Sequence, residues 1–163
     1  MSNQVTICSS SNRILAGLLS GDSSARPNVM YVEFQSGTAP VTNLPVVDPT
    51  QDDYYLQLRE DVAGNRDFLR IPIAAVTTQV GATPDDLTLF FNGICAGTTG
   101  VGGKSTSDAI IYGIALANSP TFGLAIDDLT RDRVWARGYF SAANQMPFSQ
   151  IAQTMITFKL NLK

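Results

Sequence analysis

The sequence predicts an all-β protein, a β-sandwich or jelly roll of about eight strands, and three observations carry that prediction. Apolar and polar residues alternate with a period of two in "VMYVEFQS" (residues 29–36) and in "TMITFKLNLK" (residues 154–163). Gly, Pro, Asn and Asp cluster between such runs, where turns need them. Apolar residues at helical spacing are confined to one short island, "RILAGLL". A chain of 163 residues reads as one domain, long enough to bury about 70% of its unfolded surface without disulfide staples.

Taken in order, residues 1–28 are rich in Ser, Asn and Gly and read as an N-terminal arm preceding a sandwich domain, 29–163. The arm crosses a surface and pins it with Ile14, Leu15, Leu18 and Leu19, whose spacing would also suit one short helix. It holds no evident strand. In "VMYVEFQS", Met30, Val32 and Phe34 oppose Tyr31, Glu33 and Gln35, the pattern of a half-buried strand. The proline-rich "GTAPVTNLPVVDPTQ" is loop, "YYLQL" (54–58) a strand and "REDVAGNR" a polar turn. "DFLRIPIAAV" reads as one strand whose Pro72 places it at a sheet edge or a bulge, because proline cannot donate to the ladder.

"GATPDD" is a turn, and "LTLFFNGICA" is a strand with Leu87, Leu89 and Phe91 on one side. "DAIIYGIALA" is a β-branched and aromatic strand that Gly113 marks for a bulge. "NSPTFGLAIDDLT" is connection, with room for a short strand at 122–126, and "RDRVWARGYF" is a further strand. "SAANQMPFSQIAQ" has space for one helical turn before Pro147. In the last strand Ile156, Phe158, Leu160 and Leu162 face one way and Thr157, Lys159 and Asn161 the other.

Composition narrows the function classes. Charged residues make up 15% of the chain, against about 25% in ordinary domains, so part of the surface is expected to be covered by other protein. A net charge of −3 provides no broad attraction toward nucleic acid or anionic lipid. The start has no basic region followed by a long apolar run, and no stretch approaches the ~18 apolar residues of a membrane span. The expectation is a soluble, cytoplasmically made product without membrane association. Cys8 and Cys95 are free thiols or a single bridge, too few for a disulfide framework. Histidine is absent, which removes the commonest general base and the commonest zinc ligand. No enzymatic activity and no cofactor are expected.

"AGTTGVGGKST" (96–106) imitates a phosphate-binding loop, but the residue five before Gly103 is Thr98, and Gly97 stands one position too early. The residues that follow read as strand, whereas such a loop needs a helix N-terminus to complete the phosphate cradle. The glycines instead suit a long hairpin tip, at which Thr98, Val101 and Lys104 would touch a neighbouring subunit.

"RDRVWARGYF" aligns Arg131, Arg133, Trp135, Arg137 and Tyr139 on one face under plain alternation. These residue types dominate interface hot spots, which makes the stripe a candidate subunit contact. Stacked Arg and aromatic groups also suit sugars or single-stranded nucleic acid. The structural alternative buries Trp135 under a loop and pairs the arginines with Asp127, Asp128 or Asp132. Loop carboxylates such as Asp48, Asp52 and Asp53 lack the spacing of a calcium loop, so no metal is expected.

Together "PNVMYVEFQSG", "DFLRIPIAAV", "RDRVWARGYFSAANQ" and the closing "MITFKLNLK" resemble small β-rich virion proteins of tailed bacteriophages, including head decoration (cement), head-fibre and baseplate proteins. That resemblance implies a disulfide-free sandwich, made in the host cytoplasm, that forms homo-oligomers, often trimers. Its partner would be another virion protein such as the major capsid protein, and the arm would be its anchor. A receptor- or glycan-binding tail or head-fibre module is the alternative it leaves open.

Overall fold

The computed structural model describes residues 4–8, 10–21, 26–44, 46, 66–83, 86–95, 109–119, 133–148 and 154–162. The fold is all-β: nine described strands form two antiparallel sheets. In chain order they are β1 (Gln4–Ile7), β2 (Val29–Ser36), β3 (Arg66–Pro72), β4 (Ala75–Val80) and β5 (Leu87–Cys95). They continue with β6 (Ala109–Asn118), β7 (Arg133–Tyr139), β8 (Met146–Phe148) and β9 (Thr154–Leu162), and one helix, α1 (Ser10–Leu19), follows β1. The larger sheet runs β1-β7-β6-β2-β3, with β8 also pairing β6; the smaller runs β4-β5-β9. The strand expected at 54–58 and the short one at 122–126 lie outside the described residues.

The arm is not free of strand, contrary to the expectation from its sequence. Gln4–Ile7 pairs with β7 through four residue pairs, Gln4↔Tyr139 to Ile7↔Ala136, so the arm contributes an edge strand. Its sequence is short and polar-flanked, and only the vacant β7 ladder makes it a strand. Cys8 then donates its N–H to Trp135 O at 3.0 Å and is fully buried. Beyond it, α1 packs on β7. Ser20 N–H donates to Ala16 O, and Gly21, at φ 88°, turns the chain out of the helix where a Cβ would be strained.

"DFLRIPIAAV" makes two strands in different sheets. Pro72 ends β3, which is the last strand of the larger sheet, so its missing donor leaves no ladder bond unmade. Ile73 N–H then donates to Asn28 O, and Ala74 N–H to Asn92 O on β5. This corner carries the chain from one sheet to the other, and Gly93 of β5 leaves room for it. A Cβ there would meet Ile71 Cδ1 at 2.8 Å.

Between the sheets lie Met30, Val32 and Phe34 of β2, Ile111, Ile114 and Leu116 of β6, and Phe91, Ile156, Phe158 and Leu160 of the smaller sheet. Two irregularities in register decide which side chains reach this core. Glu33 pairs Gly113 while Phe34 pairs Ile111, so Tyr112 is the extra residue of a bulge. Ile111 and Ile114, three positions apart, therefore both point inward. The bulge that Gly113 marks in the sequence is present. A second one lies on β7: Leu116 pairs Ala136 and Ala117 pairs Val134, leaving Trp135 extra.

A Cβ at residue 113 would stand 2.7 Å from Cδ1 and 2.9 Å from Cε1 of Tyr139. That ring has little freedom, because it stacks on Tyr112 at 5.9 Å and 15°. Gly113→Ala is expected to cost about 1–3 kcal/mol of overpacking, outweighing the ~0.5–1 kcal/mol that alanine recovers over glycine in a strand. Thermal unfolding should shift down by about 2–10 °C. An unmoved midpoint would mean that the ring relaxes freely.

Candidate functional site

The Arg/Trp/Tyr stripe does not survive as one face. The extra residue in β7 sends Trp135 and Ala136 toward the inter-sheet core, whereas Val134, Arg137 and Tyr139 lie on the opposite side of the larger sheet. Trp135 sits edge-on to Phe91 of the smaller sheet, 5.9 Å between centroids. It is part of the packing between the sheets, not a platform for a sugar or a base. Arg133 is half-buried at the start of β7, and Arg131 lies outside the described residues.

Arg137 and Tyr139 are buried inside the chain, which corrects their assignment to a subunit contact. Arg137 donates through Nε at 2.9 Å and Nη2 at 2.7 Å to Oε1 of Glu33, and both side chains are buried. Nearness in sequence suggests loop aspartates as partners for the arginines; Arg137 instead finds a strand glutamate 104 positions earlier. Glu33 and Arg137 stand on β2 and β7, which flank β6 at residues 113–115. The intervening positions are Gly113 and Ala115, and these small residues leave space for the pair to meet across β6. The guanidinium also lies 5.4 Å from the Tyr139 ring.

Alternation alone puts Glu33 on the wet side of a half-buried strand. It is instead 2% exposed, and Tyr31 beside it is fully buried. Part of the cover comes from Val41 and Leu44, which pack on Tyr112 and Tyr139. Gln145 fastens that cover: its Oε1 accepts from Val41 N–H at 2.7 Å and its Nε2 donates to Val41 O at 2.8 Å. Farther along the same face, Arg70 Nη2 donates to Ser119 Oγ, while the Asn28 side chain bonds both N–H and C=O of Ser119 at 2.8 Å. These polar groups satisfy one another and hold the sheet together.

An uneven match between the sheets leaves a cleft of about 440 Å³. Val5, Ile114, Gly138 and Phe140 of the larger sheet form one wall, and residues 157–161 of β9 the other. Its one charged residue among those described, Lys159, carries its ammonium over the Phe90 ring at 5.7 Å, on the outer side of the smaller sheet. Among the described lining residues there is no carboxylate and no second cation to act as acid, base or ligand. Among the described residues, no three His, Cys, Asp or Glu side chains converge as metal ligands.

What the molecule does present is an open edge. All six residues of β4 are exposed, including Val76 at 47% and Val80 at 64%. Both valines point to the same side as Phe91 and Leu87, their pairing partners in β5, yet no described part of the larger sheet covers them. The strand reads "AVTTQV", without a charge or a proline. Sequence reasoning misses it because it runs on from β3 without a break; its polar threonines and uncharged run are the signal that could have found it.

Of the arm's pinning residues, Leu15 and Leu19 are exposed, and the side chains of Ile14 and Leu18 lie outside the described set. Thr98, Val101 and Lys104 of the glycine-rich tip also lie outside the described residues. No family model matches the chain, and neither a curated protein nor a solved structure matches it.

Proposed function

We propose that this chain is a non-enzymatic structural protein of a virion, of the capsid-decoration kind that its strands resemble. It would be made in the host cytoplasm, associate with copies of itself and cover part of the shell formed by a major capsid protein. The observation that carries the reading is the uncharged strand β4, exposed along its whole length, a surface suited to adding another strand. Low overall charge supports it, as do the apolar side chains left outside, Leu19 at 81% and Met155 at 73% exposure. The described lining of the cleft offers no carboxylate that would favour an enzyme.

The test is reconstitution. Purified protein added to particles that lack it should bind in a fixed stoichiometry and raise the temperature at which they release their contents. Particles whose heat resistance is unchanged after addition would sink the decoration reading.

A further inference from the structure

We propose that β4 pairs with β4 of a second copy of this chain, antiparallel about a two-fold axis at Thr78, joining two three-stranded sheets into one of six. The inference deepens the assembly reading above and rests on it for its biological setting, but its geometry is independent.

The hydrogen-bond pattern establishes which groups face out. Gly81 N–H donates to Asp86 O, and residues 81 and 86 continue the register that pairs Val80 with Leu87. Directly bonded pairs alternate in an antiparallel ladder, so the amides of Thr77 and Gln79 are turned toward Phe90 and Thr88. Those of Val76, Thr78 and Val80 are turned to the open side, where no further strand lies among the described residues. Ala74 N–H donates to Asn92 O, the partner of Ala75, so this alternation does not extend back past Ala75.

The strand is complementary to itself. With Thr78 opposite Thr78 of the second copy, Val76 meets Val80 and Val80 meets Val76, all on one face. Each of the three outward amides then finds a carbonyl. Cross-strand valine pairs are favourable, and with no charge on β4 there is no like-charge repulsion at the axis. Natural edges are guarded by lysine, proline, bulges or inward charges, and residues 76–80 carry none of these. A foreign strand would satisfy the amides equally well, but the near-palindrome Val-Thr-Thr-Gln-Val is what favours a copy. An edge pairs once, so the contact closes as a dimer and does not propagate. A trimer cannot repeat it at every contact.

Directly bonded antiparallel residues have Cα atoms about 5.5 Å apart, within disulfide reach. Thr78→Cys should therefore oxidise to a covalent dimer, while wild-type protein and Thr77→Cys, which faces the other way, stay single chains. Thr78→Pro removes an outward donor without touching the ladder to β5, so it should convert a dimer into a monomer by light scattering, with the β circular-dichroism spectrum unchanged. Should the proline variant lose that spectrum, Thr78→Lys, an exposed substitution that places two cations at the axis, is read in its place. Wild-type protein that runs as a monomer at high concentration, or a dimer that survives both substitutions, overturns the proposal. A wild type that is monomeric yet stabilises particles would retire β4 pairing alone; dimers that leave particles unchanged would retire the decoration reading alone.

Discussion

Arg137→Ala is expected to lower the stability of the fold by about 3–5 kcal/mol, well beyond the effect of Gly113→Ala. The reason is what remains behind. Glu33, 2% exposed, would keep its carboxylate in a face lined by Tyr31, Tyr112 and Val41, with its principal counter-charge gone. Glu33→Ala should be comparable, because it strands the guanidinium instead. In thermal unfolding either loss corresponds to a fall of about 6–20 °C for a chain of this length. Replacing both partners together, as Glu33→Leu with Arg137→Met, should restore most of the loss, since an apolar pair of similar volume avoids the desolvation that the ions suffer. A double-mutant cycle in urea gives the coupling directly. If Arg137→Ala loses less than about 1 kcal/mol, water must reach Glu33, and the ion pair is not a dry one.

Deleting residues 1–19 is the second large expectation. From the sequence, an arm without a strand should be removable with the sandwich intact. The pairing of β1 with β7 predicts otherwise. The deletion opens the β7 edge, removes the bond from Cys8 N–H to Trp135 O and uncovers Val134, which is fully buried in a cluster with Cys8. Re-exposing one valine-sized side chain costs about 1.5–3 kcal/mol, and each lost hydrogen bond about 1 kcal/mol. Together they predict a loss of about 3 kcal/mol or more, seen as a lower urea midpoint for residues 20–163. Equal midpoints for the full and shortened chains would return the arm to the status of a dispensable appendage.

How much of this is legible in the sequence depends on whether local alternation or long-range cover controls a residue. β9 can be read because it is an edge strand with one dry and one wet face: Ile156, Phe158 and Leu160 are buried while Met155, Thr157, Lys159 and Asn161 are exposed. β2 and β6 are legible as strands but not in their surroundings. Alternation marks Glu33 as polar, yet only the cover over the second face explains why it is buried. The unbroken apolar run "AIIYGIALA" in β6 is the local trace of that cover.

The candidate site is harder to read for a related reason. Counting in twos puts Trp135 on the face of Arg137, and one extra residue in β7 reverses everything on its far side. Nothing in "RDRVWARGYF" announces that bulge. Gly113 does announce its own, because glycine in a strand is otherwise unfavourable. β4 escapes notice because "IPIAAV" contains no turn residue after Pro72; the change of sheet is made by bonds from Ile73 and Ala74 to partners far along the chain.

The order of strands has a kinetic consequence. β1 pairs with β7, β2 with β6 and β5 with β9, so many neighbours in space are remote in the chain, and the β4–β5 hairpin is a short-range exception. Topologies of this sort fold slowly, because long loops must close before contacts repay the lost entropy. During synthesis, Phe91 and Leu89 would wait without Phe158 and Leu160 until β9 emerges. Nascent chains must therefore travel some way with part of their interior undressed.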